Sequence, residues 1–256
     1  MREKLMKNIR LMQMEQYIIE KRFVTIEDLC RRFDIHPNTA RSDIRSLVER
    51  GVARKRYGGV EYVTHNLQIS FDERKQRNAE SKEQIGHSAA ALLQEGDIIY
   101  VDTGSTASRL FSGDPSTRPS HLTVISSSLE VLSKVSRETE YTVFGLPGQL
   151  DRQVQAFVSL ETIESLKSYN LRKAFLGTRG ISARGELCSA SSIDAKIKQV
   201  AIDISDEVIL MADSQKVNQS SLFNFSNLDS VDYWACESDE AVVQELANRH
   251  GVKLLI

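Results

Sequence analysis

The sequence predicts an α/β protein in two unequal parts, and three observations carry that prediction. From Gly96 onward, short apolar runs of strand type alternate with helical stretches, the pattern of a mostly parallel sheet covered by helices. Before residue 60, two short amphipathic helices flank a tight turn and are followed by a basic hairpin with a Gly-Gly pair. Charge divides at the same place. Residues 1–60 hold 14 Lys and Arg against 8 Asp and Glu, net +6, and the rest holds 19 against 27, net −8, within a total of −2. A basic head on an acidic body suits a head that meets phosphates and a body that does not.

The head, 1–60, reads in order. Residues 6–21 form a helix with Leu11, Met14 and Ile18 on one face. Thr25 caps a second helix to Phe33, and Asp28 three residues on completes an approximate capping box, with a shorter acid than usual. Ile26, Leu29, Cys30 and Phe33 give it one buried stripe. Asp34-Ile35-His36 is a tight connection, and Pro37 suits a first helical position because its missing N–H would be unpaired there. Ala40, Ile44 and Leu47 face inward. Asn38, Thr39, Arg41, Ser42 and Arg45 face outward, short polar groups and arginines suited to base edges and phosphates in a major groove. Residues 51–60, with Arg54, Lys55 and Arg56 before Gly58-Gly59, form a wing beside a helix-turn-helix. A bare helix pair predicts no partner; with the basic wing, double-stranded DNA is the predicted one.

Residues 61–71 lack periodicity and read as a linker, and 72–256 as the α/β domain. A long helix runs from Asp72 to Leu93 and stops at Gly96. Strands follow at 98–101, 122–125, 141–144, 174–176 and 208–211 and around Trp234, with helices at 106–111, 129–135, 160–168, 193–204 and 240–250, and 252–256 last. In parallel sheets, ligands meet the carboxyl ends of strands. Four polar turns stand there: Asp102-Thr103-Gly104-Ser105-Thr106, Ser126-Ser127-Ser128, Gly177-Thr178-Arg179-Gly180 and Asp213-Ser214-Gln215-Lys216. A Gly between hydroxyl residues at a helix start turns N–H groups toward an anion, and Lys216 supplies a cation. Alone, the first turn is equally an ordinary strand-to-helix connection, and Lys216 an ordinary surface lysine.

Composition narrows the classes. Apolar content of 41% argues against disorder, and no apolar run is long enough to span a bilayer or serve as a signal core, so a cytoplasmic protein is expected. Three widely spaced cysteines and five histidines show no metal-ligand spacing, so neither metal nor cofactor is expected.

The segments 24–29, 38–44 and 56–60 together resemble the N-terminal signature of the DeoR family of bacterial transcriptional regulators. His36, Ala40, Ser42 and Tyr57 depart from it, standing where a Ser cap, a larger aliphatic, a second Arg and a wing His are usual. The 102–106 turn is similar to that family's Asp-x-Gly-Thr-Thr loop, 177–181 to its Gly-x-x-Gly-Ile turn, and 213–216 to its Asp-x-Ser-Lys segment, with Val217 and Asn218 in place of Phe and Gly. Ser126-Ser127-Ser128 stands where Thr-Asn-Ser is common. The resemblance implies a repressor-type regulator of carbohydrate catabolism that binds operator DNA. Its sensor domain, similar in fold to ribose-5-phosphate isomerase, would bind a phosphorylated sugar or sugar acid through Asp102, Thr103, Gly104, Ser105, Thr106, Ser126, Gly177 and Lys216. One recognition helix reads few bases, so a homo-oligomer, dimer or tetramer, is expected.

Two rival functions differ in what they require. A sugar-phosphate isomerase-like enzyme needs a carboxylate base at the substrate carbon; Asp102 and Asp213 suit in type, but the Asp-Gly-Ala-Asp-Glu type run that supplies the isomerase base is absent. No catalytic residue is therefore assigned. An architectural DNA binder leaves the four strand-end turns without a role.

Overall fold

A computed structural model of the chain describes residues 10, 11, 14, 17, 18, 21, 23–49, 53–62, 71–138 and 140–256. They belong to two units, Met1–Gln68 and Ile69–Ile256.

In the first unit, strand β1 (Phe23–Thr25) runs into helix α1 (Ile26–Phe33) through the expected capping box. Thr25 Oγ1 accepts from the Asp28 N–H, and the Asp28 carboxylate accepts from the Thr25 N–H, both at 3.1 Å. Asp34 ends α1 in the left-handed region, φ 50°. Helix α2 (Pro37–Glu49) follows, and His36 takes the place of the usual Ser cap: its Nδ1 accepts from the Asn38 N–H at 3.3 Å. Leu29, Ala40, Ile44 and Leu47 are buried with Leu11, Met14 and Ile18. Of the expected 6–21 helix, residues 10, 11, 14, 17, 18 and 21 are helical; the others lie outside the described residues. The wing is β2 (Ala53–Arg56) and β3 (Gly59–Tyr62), antiparallel, with β1 added in the order β1-β3-β2. Its two glycines answer different needs. Gly58 has φ +80°, and a Cβ on Gly59 would lie 2.3 Å from the Val24 carbonyl oxygen. Residues 51–52 lie outside the described residues. Of the expected 61–71 linker, Glu61 and Tyr62 extend β3, Phe71 opens a helix, and 63–70 lie outside the described residues.

The second unit begins with a correction. The single helix expected over Asp72–Leu93 is two, α3 (Phe71–Gln76) and α4 (Ala79–Ala90). Asn78 breaks it at φ 53°, a conformation Asn tolerates better than most residues. Lys82 Nζ caps the broken end by donating to the Arg74 and Arg77 carbonyls. Strand β4 (Ile98–Val101) leads to a second correction: the helix expected over 106–111 is one 3₁₀ turn, Ala107–Arg109. Then come β5 (Thr123–Ser126), α5 (Leu129–Glu138), β6 (Thr142–Gly145), a hairpin of β7 (Leu150–Asp151) and β8 (Ala156–Phe157), α6 (Leu160–Leu166) and β9 (Leu171–Leu176). After β10 (Gly180–Ile181) and β11 (Glu186–Ser189) follow α7 (Ser192–Asp203), β12 (Ser205–Met211), β13 (Phe223–Asn227), β14 (Tyr233–Ala235), α8 (Ala241–His250) and β15 (Lys253–Leu255).

Seven strands form one sheet in the order β15-β14-β12-β9-β4-β5-β6, with every pairing parallel. Two-residue periodicity splits each strand between two cores. Tyr100, Leu176, Leu210 and Trp234 enter one; Ile99, Val101, Phe175, Ile209 and Met211 enter the other, against Ile85 and Ala89 of α4. Strands β10, β11 and β13 form a small antiparallel sheet that the sequence does not announce, because its pieces are short and interrupted by polar residues. Among the described residues, no helix is long and apolar enough to cross a membrane.

Candidate functional site

On the head, Asn38, Arg41, Ser42 and Arg45 of α2 are exposed together and Thr39 is half-buried, as their spacing predicts. Arg41 Nη1 donates to Asn38 Oδ1 at 3.3 Å, so the two present one joint donor surface. Asp43, on the same helix, points inward: it is buried and pairs with Arg10 at 2.7 Å. Arg54, Lys55 and Arg56 are exposed on the wing, and Tyr57 stands fully exposed at its tip. Sequence reading misses Glu61. Its Oε2 accepts from Arg54 at 2.8 Å and from Arg56 at 2.7 Å, and those two bonds hold its carboxyl below the usual range. The only available signal was register, since β3 lies beside β2 and pairs Glu61 with Arg54.

The sheet order sets β12, β9, β4 and β5 side by side, which gathers the four polar turns along one edge. Asp102 is fully buried at the end of β4. Its Oδ2 accepts from the Gly177 N–H at 2.9 Å and is ion-paired with Lys198 Nζ. Lys198 lies on α7, itself buried, and also reaches Asp194 at 3.6 Å. Burial alone would lower the Lys198 ammonium, but Asp102 and Asp194 outweigh it and hold its pKa above the ordinary value. Asp102 therefore orients the 102–106 and 177–180 turns and arrives already neutralised. Sequence reading missed Lys198. Its signal was a charged pair, Asp194 and Lys198, set at i,i+4 among Ala195, Ile197 and Ala201 on the core-facing side of a helix.

The backbone N–H groups of Thr103, Gly104, Ser105 and Thr106 have no acceptor among the described residues, nor do the hydroxyls of Thr103, Ser105 and Thr106. A Cβ on Gly104 would meet only ordinary contacts, Asp102 Oδ2 at 3.6 Å being the nearest, and its φ is not positive. The protein's own packing does not require glycine there; a group lying against the backbone would. Ser126, in contrast, is corrected. It is fully buried, donates to the Val101 carbonyl at 2.7 Å and accepts from the Ser128 N–H at 3.1 Å, so its hydroxyl belongs to the scaffold. Ser127 next to it keeps a buried hydroxyl near the buried Tyr100 phenol.

Lys216 is half-buried, and its ammonium makes no ion pair or hydrogen bond among the described residues. Burial lowers its pKa; Asp213 opposes that, and Arg179, Arg77 and Arg74 add to it. Burial raises Asp213, with Lys216 and Lys82 opposing and Glu237 adding. Burial also brings Lys82 to about 8 and Arg74 to about 10, with Arg179 the largest cationic neighbour acting on Arg74. Burial is the first cause of each lowering, with Asp213 the largest charge opposing it at Lys216 and Lys82, and an anion bound here would favour the charged forms of all three cations. A separate cleft of about 490 Å³ opens at the opposite ends of β4 and β9. Its charges are matched, Asp97 with Lys173 at 2.7 Å and Arg172 with Asp206 at 3.1 Å.

Residues 77–238 match the model of the DeoR C-terminal sensor domain, and 10–66 the DeoR-like helix-turn-helix domain. The chain belongs to the DeoR family. Among DeoR-type relatives, it is 28% identical to the HTH-type transcriptional regulator IolR of Bacillus subtilis, over 88% of each chain. It is 27% identical to the transcriptional repressor GlcR of the same species, over 96% of this chain and 95% of that one. The glycerol-3-phosphate regulon repressor of Escherichia coli is 22% identical over 92% and 93%. Solved structures similar in part include ribose 5-phosphate isomerase A of Methanocaldococcus jannaschii (16% identity, 55% of each chain, TM-score 0.39). Another is eIF2B delta of Chaetomium thermophilum (19% identity, 64% of this chain and 58% of that one, TM-score 0.47). Fold likeness of that grade assigns no chemistry to a DeoR-family chain.

Proposed function

We propose that this DeoR-family protein is a transcriptional regulator of the repressor type, acting in the cytoplasm on a carbohydrate catabolic operon. Residues 1–60 read double-stranded operator DNA as a dimer or tetramer, through Asn38, Thr39, Arg41, Ser42 and Arg45 in the groove and Arg54, Lys55 and Arg56 on the backbone. Residues 72–256 bind a phosphorylated sugar or sugar acid. One observation carries the sensing half: among the described residues, four N–H groups and three hydroxyls of the 103–106 turn have no acceptor, and on the same sheet edge Lys216 makes no ion pair or hydrogen bond. Thr103, Gly104, Ser105 and Thr106 take the phosphate, Lys216 offsets its charge, and Asp102 with Gly177 fixes the turn. The name of one relative, the glycerol-3-phosphate regulon repressor, supports a phosphorylated effector.

A thermal-shift and operator-binding screen tests this. A sugar phosphate, and not the free sugar, should raise the melting temperature and lower operator affinity. Ser105→Ala and Lys216→Ala should bind DNA and lose the response. Equal action by the unphosphorylated sugar would sink the assignment.

One observation favours the enzymatic rival: Asp213, buried with a raised pKa and an unpartnered Oδ1, has the profile of a general base. We propose no enzymatic activity, since the head matches a DNA-binding module and the Asp-Gly-Ala-Asp-Glu type run that supplies the isomerase base is absent from the sequence. An isomerisation assay across pentose and hexose phosphates decides; turnover abolished by Asp213→Asn would reverse the reading.

A further inference from the structure

Helix α3 is too short to be stable alone. Its buried apolar anchor is Phe71. Four polar attachments of α3 and the break after it lead toward the strand-end loops, beside the bonds that Lys82 of α4 makes to the Arg74 and Arg77 carbonyls. Arg109, after the 103–106 turn, donates from Nη2 to the Lys75 carbonyl at 3.1 Å. Lys75 pairs with Glu130, at the start of the helix after Ser126-Ser127-Ser128. Asn78 Nδ2, at the break, donates to Gln215 Oε1 of the 213–216 turn at 3.0 Å. Arg74 reaches the Gln153 carbonyl of the β7–β8 hairpin from Nη2, at a long 3.4 Å. Thus α3 lies across the edge where the anion site is proposed.

Among the described residues, the Nε atoms of Arg74 and Arg109 are both buried without a partner. Arg109 is otherwise committed, to Glu83 and the Lys75 carbonyl, whereas Arg74, with five guanidinium donors to place, makes only the long hydrogen bond to Gln153. Its charge lies within electrostatic reach of Arg179, Asp102 and Asp194, so it belongs to the same cluster as Lys216 and the Asp102 turn.

Resting on the sensor reading above, we propose that Arg74 is a ligand of the bound anion and that α3 is a strap which the effector fastens onto the strand-end loops. A bidentate contact would satisfy the idle Nε and add one strong attachment to a helix otherwise held by single bonds. In chain order α3 is the first helix after residues 63–70, which follow the wing, so the strap sits where the chain enters the sensor unit.

Hydrogen exchange on the full chain tests this, with inorganic phosphate and a panel of pentose and hexose monophosphates as probes. Protection of 103–106 and 71–76 together is expected, with Arg74→Gln losing the protection of 71–76 and weakening binding about tenfold or more. Arg74→Lys should recover part of the affinity, as a charge contact requires. Protection of 103–106 without 71–76, or wild-type affinity in Arg74→Gln, overturns the strap and leaves the sensor reading standing. Absence of protection anywhere overturns both. The wild-type comparison requires no variant, so misfolding of Arg74→Gln cannot spare the proposal.

Discussion

The head and the strand-end edge are both arranged for phosphate, by opposite physics. On the head, Arg41, Arg45, Arg54, Lys55 and Arg56 are exposed on long side chains. Their attraction is screened by salt and tolerant of position, and it suits a partner recognised by many weak contacts. On the sensor edge the donors are backbone N–H groups beside a buried Asp102–Lys198 pair, and Lys216 and Arg74 are half-buried with lowered pKa values. A low-dielectric, preorganised site is selective, less sensitive to salt and more sensitive to protons. Each region should respond to perturbations that leave the other unmoved.

The largest expected effect breaks the buried pair. Lys198→Met leaves Asp102 buried and uncompensated, and should cost about 3–5 kcal/mol of sensor-unit stability in denaturant unfolding. Arg54→Ala, breaking an exposed pair, should cost about 1 kcal/mol or less. Similar losses in the two variants would erase the contrast. Next in size, Arg41→Ala should weaken operator binding by about 1–3 kcal/mol and relax sequence preference, read by titrating cognate and scrambled duplexes. Arg56→Ala should instead weaken all duplexes alike and flatten the salt slope.

Gly104→Ala sharpens the sensor side. The protein accommodates the Cβ, so the melting temperature without ligand should stay within about 1 °C, while a sugar phosphate should bind about tenfold more weakly. A lowered melting temperature with unchanged affinity would mean that the glycine serves the fold.

Proton linkage comes next. Lys82 falls from its ordinary 10.5 to about 8 in the folded chain, through burial first. Between those values the unfolded chain holds more protons at this group, so its contribution to stability rises with pH across that window. A bound anion favours the ammonium, so ligand binding should take up protons above about pH 8, and affinity should fall there. Calorimetry in two buffers of different ionisation enthalpy reads the uptake. DNA binding through arginines should stay flat over the same range, and a flat ligand profile would remove Lys82 from the electrostatics of the site. The smallest effect concerns Glu61→Gln. It releases Arg54 and Arg56, and should raise non-specific DNA affinity a few-fold, on the order of 1 kcal/mol or less, with a steeper salt slope. An unchanged slope would show that phosphates displace Glu61 without cost.

By itself, the sequence determined what depends on neighbours along the chain. Helical spacing turned Arg41 and Arg45 outward and Ala40, Ile44 and Leu47 inward; apolar runs placed the strands; polar turns marked the strand ends. Only the tertiary structure decided which groups meet across long separations. Lys198 neutralises Asp102 from 96 residues away, Ser126 turns into the scaffold, Glu61 ties the two wing arginines together, and Asn78 breaks an unbroken helical pattern to reach Gln215. Periodicity reports the face on which a side chain lies. It does not report what the opposite face of another element brings to it, because that depends on strand order, and an ion pair or an orphaned N–H exists only once the order is set.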